Sequence, residues 1–152
     1  MACPAWSDMP FDASGDATFV IASTPMLVRK ALREILRHPV MAHLSAVGRS
    51  TAEIVLAEAL NNIVEHAYDG AIDQIDLRLQ LRSGRLLCDI FDRGAPMPNS
   101  ELPTGLAQRI EPGNDLPEGG FGWFLIRALT ENLAYRRIDA RNHLSFQLNI
   151  EQ

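Results

Sequence analysis

Alternating hydrophobic and polar positions predict two β-hairpins in this chain. Isoleucine or leucine occupies every second position from 75 to 81, with polar residues between, which is the signature of a half-buried strand. Ser83-Gly84 can turn this strand into a second one over 86–92. Nearer the C-terminus, 134–138 and the alternating run 144–150 predict another hairpin across a turn at 139–142.

A short strand and a first helix are predicted before these hairpins. Residues 18–22 are β-rich. They are followed by Ser23, Thr24 and Pro25, which supply a cap and a proline suited to a first helical turn. We therefore expect a helix over 26–37.

Two further helices are predicted from capping signals and periodicity. Residues 50–53 have capping-box spacing, and Asp69-Gly70 supplies a C-terminal stop, so the longest helix should lie between them. A third helix is expected over 121–132, because its apolar residues recur on one face.

The order of these elements predicts an α/β (α+β) two-layer sandwich, with three main helices on one face of a largely antiparallel mixed sheet. Residues 1–16 have no periodicity and are expected to form a flexible N-terminal tail, so the domain should span 17–152. Within it, 94–119 is rich in proline and glycine. Loops of that length are usually functional, and we interpret this one as a lid.

Composition excludes several classes of function. The 152 residues are 47% hydrophobic and carry a formal net charge of −5, so the chain lacks the basic character that binding to a nucleic acid backbone requires. No apolar run approaches the length needed to span a bilayer. Cys3 and Cys88 are the two cysteines, one in the tail and one in an apolar strand. We expect no disulfide and a cytoplasmic protein without direct contact to nucleic acid or membrane.

A polar stripe on the second helix is the first candidate for chemistry. Glu58, Asn62, Glu65 and His66 fall within one arc of the helix, opposite an apolar face. The stripe is either a solvated face or a set of groups that point into a cleft. In the second case, a carboxylate and a carboxamide one turn apart could serve as a general base and as an oxygen ligand for Mg²⁺.

Asp92 is the second candidate. Alternation along 86–92 places it on the same inward phase as Leu86, Cys88 and Ile90, where a carboxylate needs a hydrogen-bond donor. It is either a turn residue that bonds the backbone two residues on, or a carboxylate that accepts a hydrogen bond from an exocyclic amine such as N6 of adenine.

A glycine-rich segment at 118–123, EGGFGW, precedes the third helix and is the third candidate. Glycines let backbone N–H groups approach a phosphate, and the helix N-terminus stabilises an anion. The segment is neither a Rossmann fingerprint nor a Walker A loop, because the third glycine and the GK[ST] sequence are missing. Phosphate binding here would require another fold.

Taken in order, these three segments resemble the N, G1 and G2 boxes of the GHKL ATPases. The segments read EALNNIVEHAY at 58–68, DRGAP at 92–96 and GFGWFLI at 120–126, and the resemblance covers roughly residues 17–150. It implies the Bergerat-type ATP-binding fold. Within the superfamily, the chain is most similar to the stand-alone anti-sigma-factor serine/threonine kinases.

The resemblance implies a role for individual residues. Glu58 would be the general base, Asn62 the Mg²⁺ ligand, and Asp92 the group that reads the adenine amine. The other residues that the resemblance implies for ATP binding come from all three boxes: His66, Gly94, Pro96, Gly119, Gly120, Phe121, Gly122 and Trp123.

Two positions depart from the family pattern. The lid contains no lysine, and Glu118 lies close to Gly120, where some relatives carry a basic residue. Stabilisation of the γ-phosphate would therefore depend on Arg109 or on a partner. The G1 box has Ala95 before its proline, where many relatives have glycine or lysine.

These features predict an ATP-dependent anti-sigma-factor serine/threonine kinase, a partner-switching regulator that phosphorylates a STAS-domain anti-anti-sigma protein and binds a sigma factor. The family implies a homodimer, and the basic side chains of the first helix form either a solvated face or a partner surface. The alternatives are a nucleotide-binding interaction module without catalysis and a regulator of another phosphorelay.

Overall fold

A computed structural model of the protein describes residues 15–67, 71–103 and 121–150, with the backbone alone described for Phe121. Five strands form one antiparallel sheet in the order β1-β2-β3-β5-β4. The expected two-layer α+β fold is confirmed, and the sheet is antiparallel throughout. The elements are β1 (Asp16–Ala22), α1 (Pro25–Arg37), α2 (Ala46–Asn62), β2 (Gln74–Arg82), β3 (Arg85–Asp92), α3 (Phe121–Leu129), β4 (Glu131–Ile138) and β5 (Arg141–Asn149).

The two predicted hairpins are present, but the second turn is shorter than expected. Ser83 and Gly84 have φ values of 51° and 76° and join β2 to β3, as the sequence predicted. Asp139 and Ala140 have φ values of 52° and 61° and alone join β4 to β5. Two successive left-handed residues match the twist of a hairpin. The prediction that the turn extends to residue 142 is therefore wrong, since β5 already begins at Arg141.

The first helix forms where it was predicted, and the second begins earlier. The Thr24 hydroxyl caps α1 by accepting a hydrogen bond from the N–H of Leu27 at 3.2 Å. In α2 the cap is Ser45, which accepts from the N–H of Gly48 at 3.0 Å, and not the predicted cap at Ser50. Ser50 lies inside the helix, because the earlier serine already satisfies the first turn. The predicted stop at 69–70 lies outside the described residues.

Two further boundaries differ from the prediction. Asp16, assigned to the tail, is the first residue of β1 and pairs with Gln80 of β2. The helix α3 ends at Leu129 and not at Asn132, which belongs to β4. Thr130 closes this helix by donating its hydroxyl to the carbonyl of Ile126 at 2.6 Å.

The hydrophobic core lies between one face of the sheet and the helices. Alternate residues of β2, β3 and β5 point into it, and Cys88 is among them, as the strand pattern predicted. The buried residues of α2 are Gly48, Ala52, Val55, Leu56, Ala59 and Leu60. Because α2 contacts both α1 and α3, it is the central helix of this layer.

Within the described residues, no helix is long and apolar enough to cross a membrane.

Replacing a core leucine of α2 should cost far more stability than replacing an exposed one. Leu60 is fully buried, whereas Leu27 in α1 is 42% exposed. We expect Leu60→Ala to lower the free energy of unfolding by about 2–5 kcal/mol, because it leaves a cavity. Leu27→Ala should change it by about 0.5 kcal/mol or less. Urea denaturation of both variants measures the difference, and equal losses would contradict the assignment of α2 to the core.

Candidate nucleotide-binding site

Asp92 lies buried at the end of β3, on the inward phase that the sequence predicted. Its side chain is 4% exposed. One carboxylate oxygen, Oδ1, accepts hydrogen bonds from the N–H of Gly94 at 2.9 Å and from Nδ2 of Asn142 at 2.8 Å. Burial raises the pKa of Asp92, and these two hydrogen bonds and the charges of Arg137 and Arg141 oppose the rise. The turn-type bond to Gly94 and an inward-facing carboxylate therefore occur together.

Asn142 is the site residue that sequence reasoning missed, because it was assigned to the turn. It lies at the start of β5, directly opposite Asp92 in the register, and it is 5% exposed. The signal was present in the sequence. Asn142 shares the inward phase of Leu144, Phe146 and Leu148, and a polar residue on that phase needs a partner in the same way as Asp92.

Gly94, just after β3, lies in close contact with the end of the second helix. After α2 the helix continues as a π-helical turn, Ile63–Ala67, a conformation found often at functional sites. A Cβ on Gly94 would lie 2.5 Å from both the Cβ and the carbonyl oxygen of Ala67. That carbonyl accepts a hydrogen bond from the N–H of Ala95 at 2.7 Å. Only glycine allows this approach, which brings the first two motif segments together.

Glu58 and Asn62 meet Gly122 at the start of α3. A Cβ on Gly122 would lie 2.6 Å from Oε2 of Glu58 and 3.4 Å from Nδ2 of Asn62. The Asn62 amide nitrogen is buried and has no hydrogen-bond partner among the described residues. A buried donor without a partner is costly, so this position is suited to a ligand that supplies one.

The outer half of the polar stripe is solvated. The side chains of Glu65 and His66 are 67% and 73% exposed, and Nε2 of His66 lies 3.7 Å from Oε2 of Glu65. Glu58 and Asn62 are only half-buried. Both interpretations of the stripe thus apply, each to one half of it.

A cavity of about 490 Å³ lies between these elements. This volume is in the range of small-molecule sites. Of the predicted site residues, Asn62, His66, Asp92, Pro96 and Trp123 line it. Its lining also includes residues that were not predicted, among them Met97, Tyr135, Asn142 and Leu144.

The remaining predicted residues can be placed only in part. Gly119 and Gly120 lie outside the described residues, as do Arg109 and Glu118 of the lid. Phe121 is the first residue of α3. In the described ranges, no three His, Cys, Asp or Glu side chains come together to hold a metal ion. A cation here would need ligands from a bound molecule or water in addition to Asn62.

The site thus has two chemically different ends. At one end Asp92 has an oxygen without a hydrogen bond in the described part of the chain, suited to an amine. At the other end the orphan amide of Asn62 lies beside Gly122 at a helix N-terminus, which suits an anion and its cation.

Removing the charge of Asp92 should stabilise the protein at neutral pH. Because the pKa is raised on folding, ionisation above the reference value of 3.8 favours the unfolded state. In Asp92→Asn the amide oxygen can still accept from Gly94 and Asn142, and no charge is buried. We expect a higher thermal midpoint than wild type at pH 8, with a gap that closes as pH falls below about 4. A lower midpoint at pH 8 would contradict this account.

Comparison with known proteins gives the family directly. Residues 21–148 match the histidine kinase-like ATPase domain. The serine/threonine-protein kinase BtrW of Bordetella bronchiseptica is 37% identical over 103 residues, which cover 66% of this chain and 70% of that protein. The serine-protein kinase RsbW of Oceanobacillus iheyensis is 33% identical over 84 residues, covering 53% of each chain. The RsbW protein of Bacillus thuringiensis is 31% identical over 83 residues, covering 53% of this chain and 52% of the relative.

The matches to the two RsbW proteins thus span about half of their length. The family match spans the three helices, β2, β3 and β4, the last two residues of β1 and all but the last residue of β5. The chain therefore belongs to the histidine kinase-like ATPase domain family.

Proposed function

We propose that the protein is an ATP-dependent serine/threonine kinase that acts as a partner switch: it phosphorylates a STAS-domain antagonist and binds a sigma factor. Family membership supports ATP use, and the relatives described above are named as protein kinases. The observation that carries the proposal is the position of Glu58, which lies against Gly122 and one helical turn before Asn62, a residue of the cavity lining.

The described residues fit an adenine nucleotide. The cavity is lined largely by apolar side chains such as Met97, Trp123 and Leu144, which suit the flat base. The Asp92 oxygen without a partner would accept the exocyclic amine of the base. At the other end, Gly122 lies at the start of α3 beside the amide of Asn62, and a helix N-terminus is suited to a phosphate.

They also fit one magnesium ion shared with the phosphates. Among the described residues that line the cavity, Asn62 supplies the side-chain amide at this end, since Asn142 lies beside Asp92. Its amide could turn its oxygen to a cation or its nitrogen to a phosphate, because no described residue fixes its orientation. Mg²⁺ usually keeps water and phosphate ligands, so one protein ligand is sufficient. When bound, it would neutralise charge on the phosphates.

Glu58 would serve as the general base for transfer. It would accept the proton of the acceptor hydroxyl while the hydroxyl oxygen bonds to the γ-phosphorus and the bond to the β–γ bridging oxygen breaks, releasing ADP. Its carboxylate is half-buried and adjoins the start of α3. Arg109, in the lid, is the candidate for charge stabilisation on the γ-phosphate.

The partner part of the proposal draws on the first helix. Its basic side chains are exposed, and in the described part of the chain they make no ion pair: Arg29, Lys30, Arg33 and Arg37. A protein of net charge −5 thus presents one basic surface, which is suited to an acidic partner or to a second copy in a homodimer.

A nucleotide-binding interaction module is the second candidate. The lid sequence contains no lysine, which favours a protein that binds ATP without transferring phosphate. The presence of a carboxylate at position 58 favours the kinase, because binding alone does not require a base there.

Replacing the proposed base should slow phosphate transfer and leave ATP binding intact. With radiolabelled ATP, Mg²⁺ and a purified STAS-domain protein from the same organism, we expect Glu58→Gln to lower the rate of phosphate transfer by about 10²–10⁴-fold. ATP affinity, measured by calorimetry, should change little. Glu53→Gln is the matched control, since Glu53 is exposed on the same helix.

Two results of this experiment would contradict the kinase proposal. Transfer by Glu58→Gln at the wild-type rate would exclude Glu58 as the base. ATP binding by the wild-type protein without any transfer to a partner that it binds would favour the interaction module.

Adding a methyl group at Gly122 should act through Glu58. The new Cβ would lie 2.6 Å from Oε2, so the flexible carboxylate must move away. We expect Gly122→Ala to lower the transfer rate in the wild-type background and to have no further effect in Glu58→Gln, because residues that act as a unit are non-additive. Single-turnover kinetics of the four proteins measures this coupling, and independent effects would contradict it.

A further inference from the structure

Asn142 is the centre of a hydrogen-bond network that extends beyond the site residues predicted from sequence. Its amide oxygen accepts from the hydroxyl of Tyr135 at 2.6 Å and from Nη1 of Arg137 at 2.9 Å. Its amide nitrogen donates to Oδ1 of Asp92 at 2.8 Å and to the carbonyl of Ala95 at 2.9 Å. All hydrogen-bonding capacity of the side chain is therefore used.

The chemistry of the partners fixes the orientation of this amide. A guanidinium can only donate, whereas a carboxylate and a backbone carbonyl can only accept. The oxygen of Asn142 must therefore face Arg137, and its nitrogen must face Asp92. At 5% exposure, the reversed amide would place donor against donor and acceptor against acceptor without water to compensate.

The sheet aligns the network. Arg137 of β4 pairs with Asn142 of β5, and Asn142 pairs with Asp92 of β3, so the three side chains form one row across adjacent strands. A second connection runs from the N–H of Met97 to the hydroxyl oxygen of Tyr135 at 2.9 Å and onward to Asn142. Such directional chains strengthen their members and hold them in one geometry.

This arrangement determines what Asp92 can offer to a ligand. Oδ1 is occupied by two donors, Gly94 N–H and Asn142 Nδ2, which leaves the other oxygen to face a bound molecule. Burial alone would favour the protonated carboxyl, and donors on Oδ1 and the nearby guanidinium of Arg137 favour the ionised form. An ionised carboxylate accepts hydrogen bonds only.

We propose that Asn142 is a positioning residue that keeps Asp92 a pure hydrogen-bond acceptor and thereby makes the cavity select adenine over guanine. Adenine presents an amine at C6 and guanine an oxygen, so the same edge is a donor in one base and an acceptor in the other. A site built to accept a hydrogen bond rejects the ligand that cannot donate one. Arg137 does not line the cavity, so its effect on selectivity would be exerted through Asn142, through the carbonyl of Gly94 and through its charge near Asp92.

The inference rests on the proposed nucleotide binding. Its test is to measure, by calorimetry, the affinities of the wild-type protein and its variants for ATP and for GTP, each with Mg²⁺. Asn142→Asp keeps the shape of the side chain and replaces the donor that faces Asp92 with an acceptor. We expect the ratio of ATP to GTP affinity to fall about tenfold or more. Arg137→Met should lower the ratio in the same direction, because it removes a donor to the amide oxygen of Asn142 and to the carbonyl of Gly94, and a positive charge near Asp92.

The matched control is Arg136→Met. Arg136 is the neighbouring residue on the same strand, and it is exposed on the opposite face. The control removes the same charge without contact to Asn142, so the ratio should equal that of wild type.

A pH series adds a readout that loss of packing would not produce. In Asn142→Asp, two adjacent carboxyls share a proton at lower pH, and the protonated one again donates to Asp92. We expect ATP affinity in this variant to recover between pH 8 and 6, relative to wild type measured over the same range. If Asn142→Asp does not fold by circular dichroism, Arg137→Met and Tyr135→Phe carry the test.

Equal losses of ATP and GTP affinity in these variants would overturn the inference, because the network would then be structural only. If wild type and Arg136→Met bind neither nucleotide, the proposed function fails and the inference fails with it. Selective loss of ATP affinity, with GTP affinity unchanged or increased, would support the proposal.

Discussion

The buried carboxylate of Asp92 is the constraint on which the rest of the site depends. A charge at 4% exposure must be compensated by donors, and here they come from the backbone at Gly94 and from the side chain of Asn142. The backbone donor lies two residues after the end of the strand, where the approach to Ala67 requires glycine, and the side-chain donor requires an asparagine at the matching register of the next strand. The raised pKa of Asp92 shows that compensation is incomplete, which is the cost of keeping one carboxylate oxygen ready for a ligand.

Close backbone contact then connects this carboxylate to the helix that carries the polar end of the site. Gly94 and Ala95 approach Ala67 at the end of the π-helical turn, and Gly122 approaches Glu58 one helical turn before Asn62. Each contact is possible because one of the two partners lacks a Cβ. The second helix thereby contacts two glycines from different segments, and the cavity lies between those contacts.

Much of the fold followed from local patterns, and the errors share one cause. Strict alternation predicted β2 and β3 to within a residue and the inward phase of Asp92, because a half-buried strand leaves little freedom in register. The predicted start of α2 and the predicted length of the last turn were wrong, because the local capping-box spacing favours Ser50 over the actual cap Ser45, and Asn142 is equally suited to a turn or a strand. Tertiary packing determines which serine caps α2 and whether Asn142 belongs to the turn or to the strand. The network around Asn142 depends on pairing between β3, β4 and β5, which no local window contains.

The central claim is that the carboxylate at the end of β3 reads the base of an adenine nucleotide. A crystal structure of the protein with Mg²⁺ and a non-hydrolysable ATP analogue tests it most directly. The account predicts the exocyclic amine within hydrogen-bond distance of the second carboxylate oxygen of Asp92, while Oδ1 keeps its bonds to Gly94 and Asn142. An adenine bound elsewhere, or one in the cavity with its amine turned away from Asp92, would contradict it.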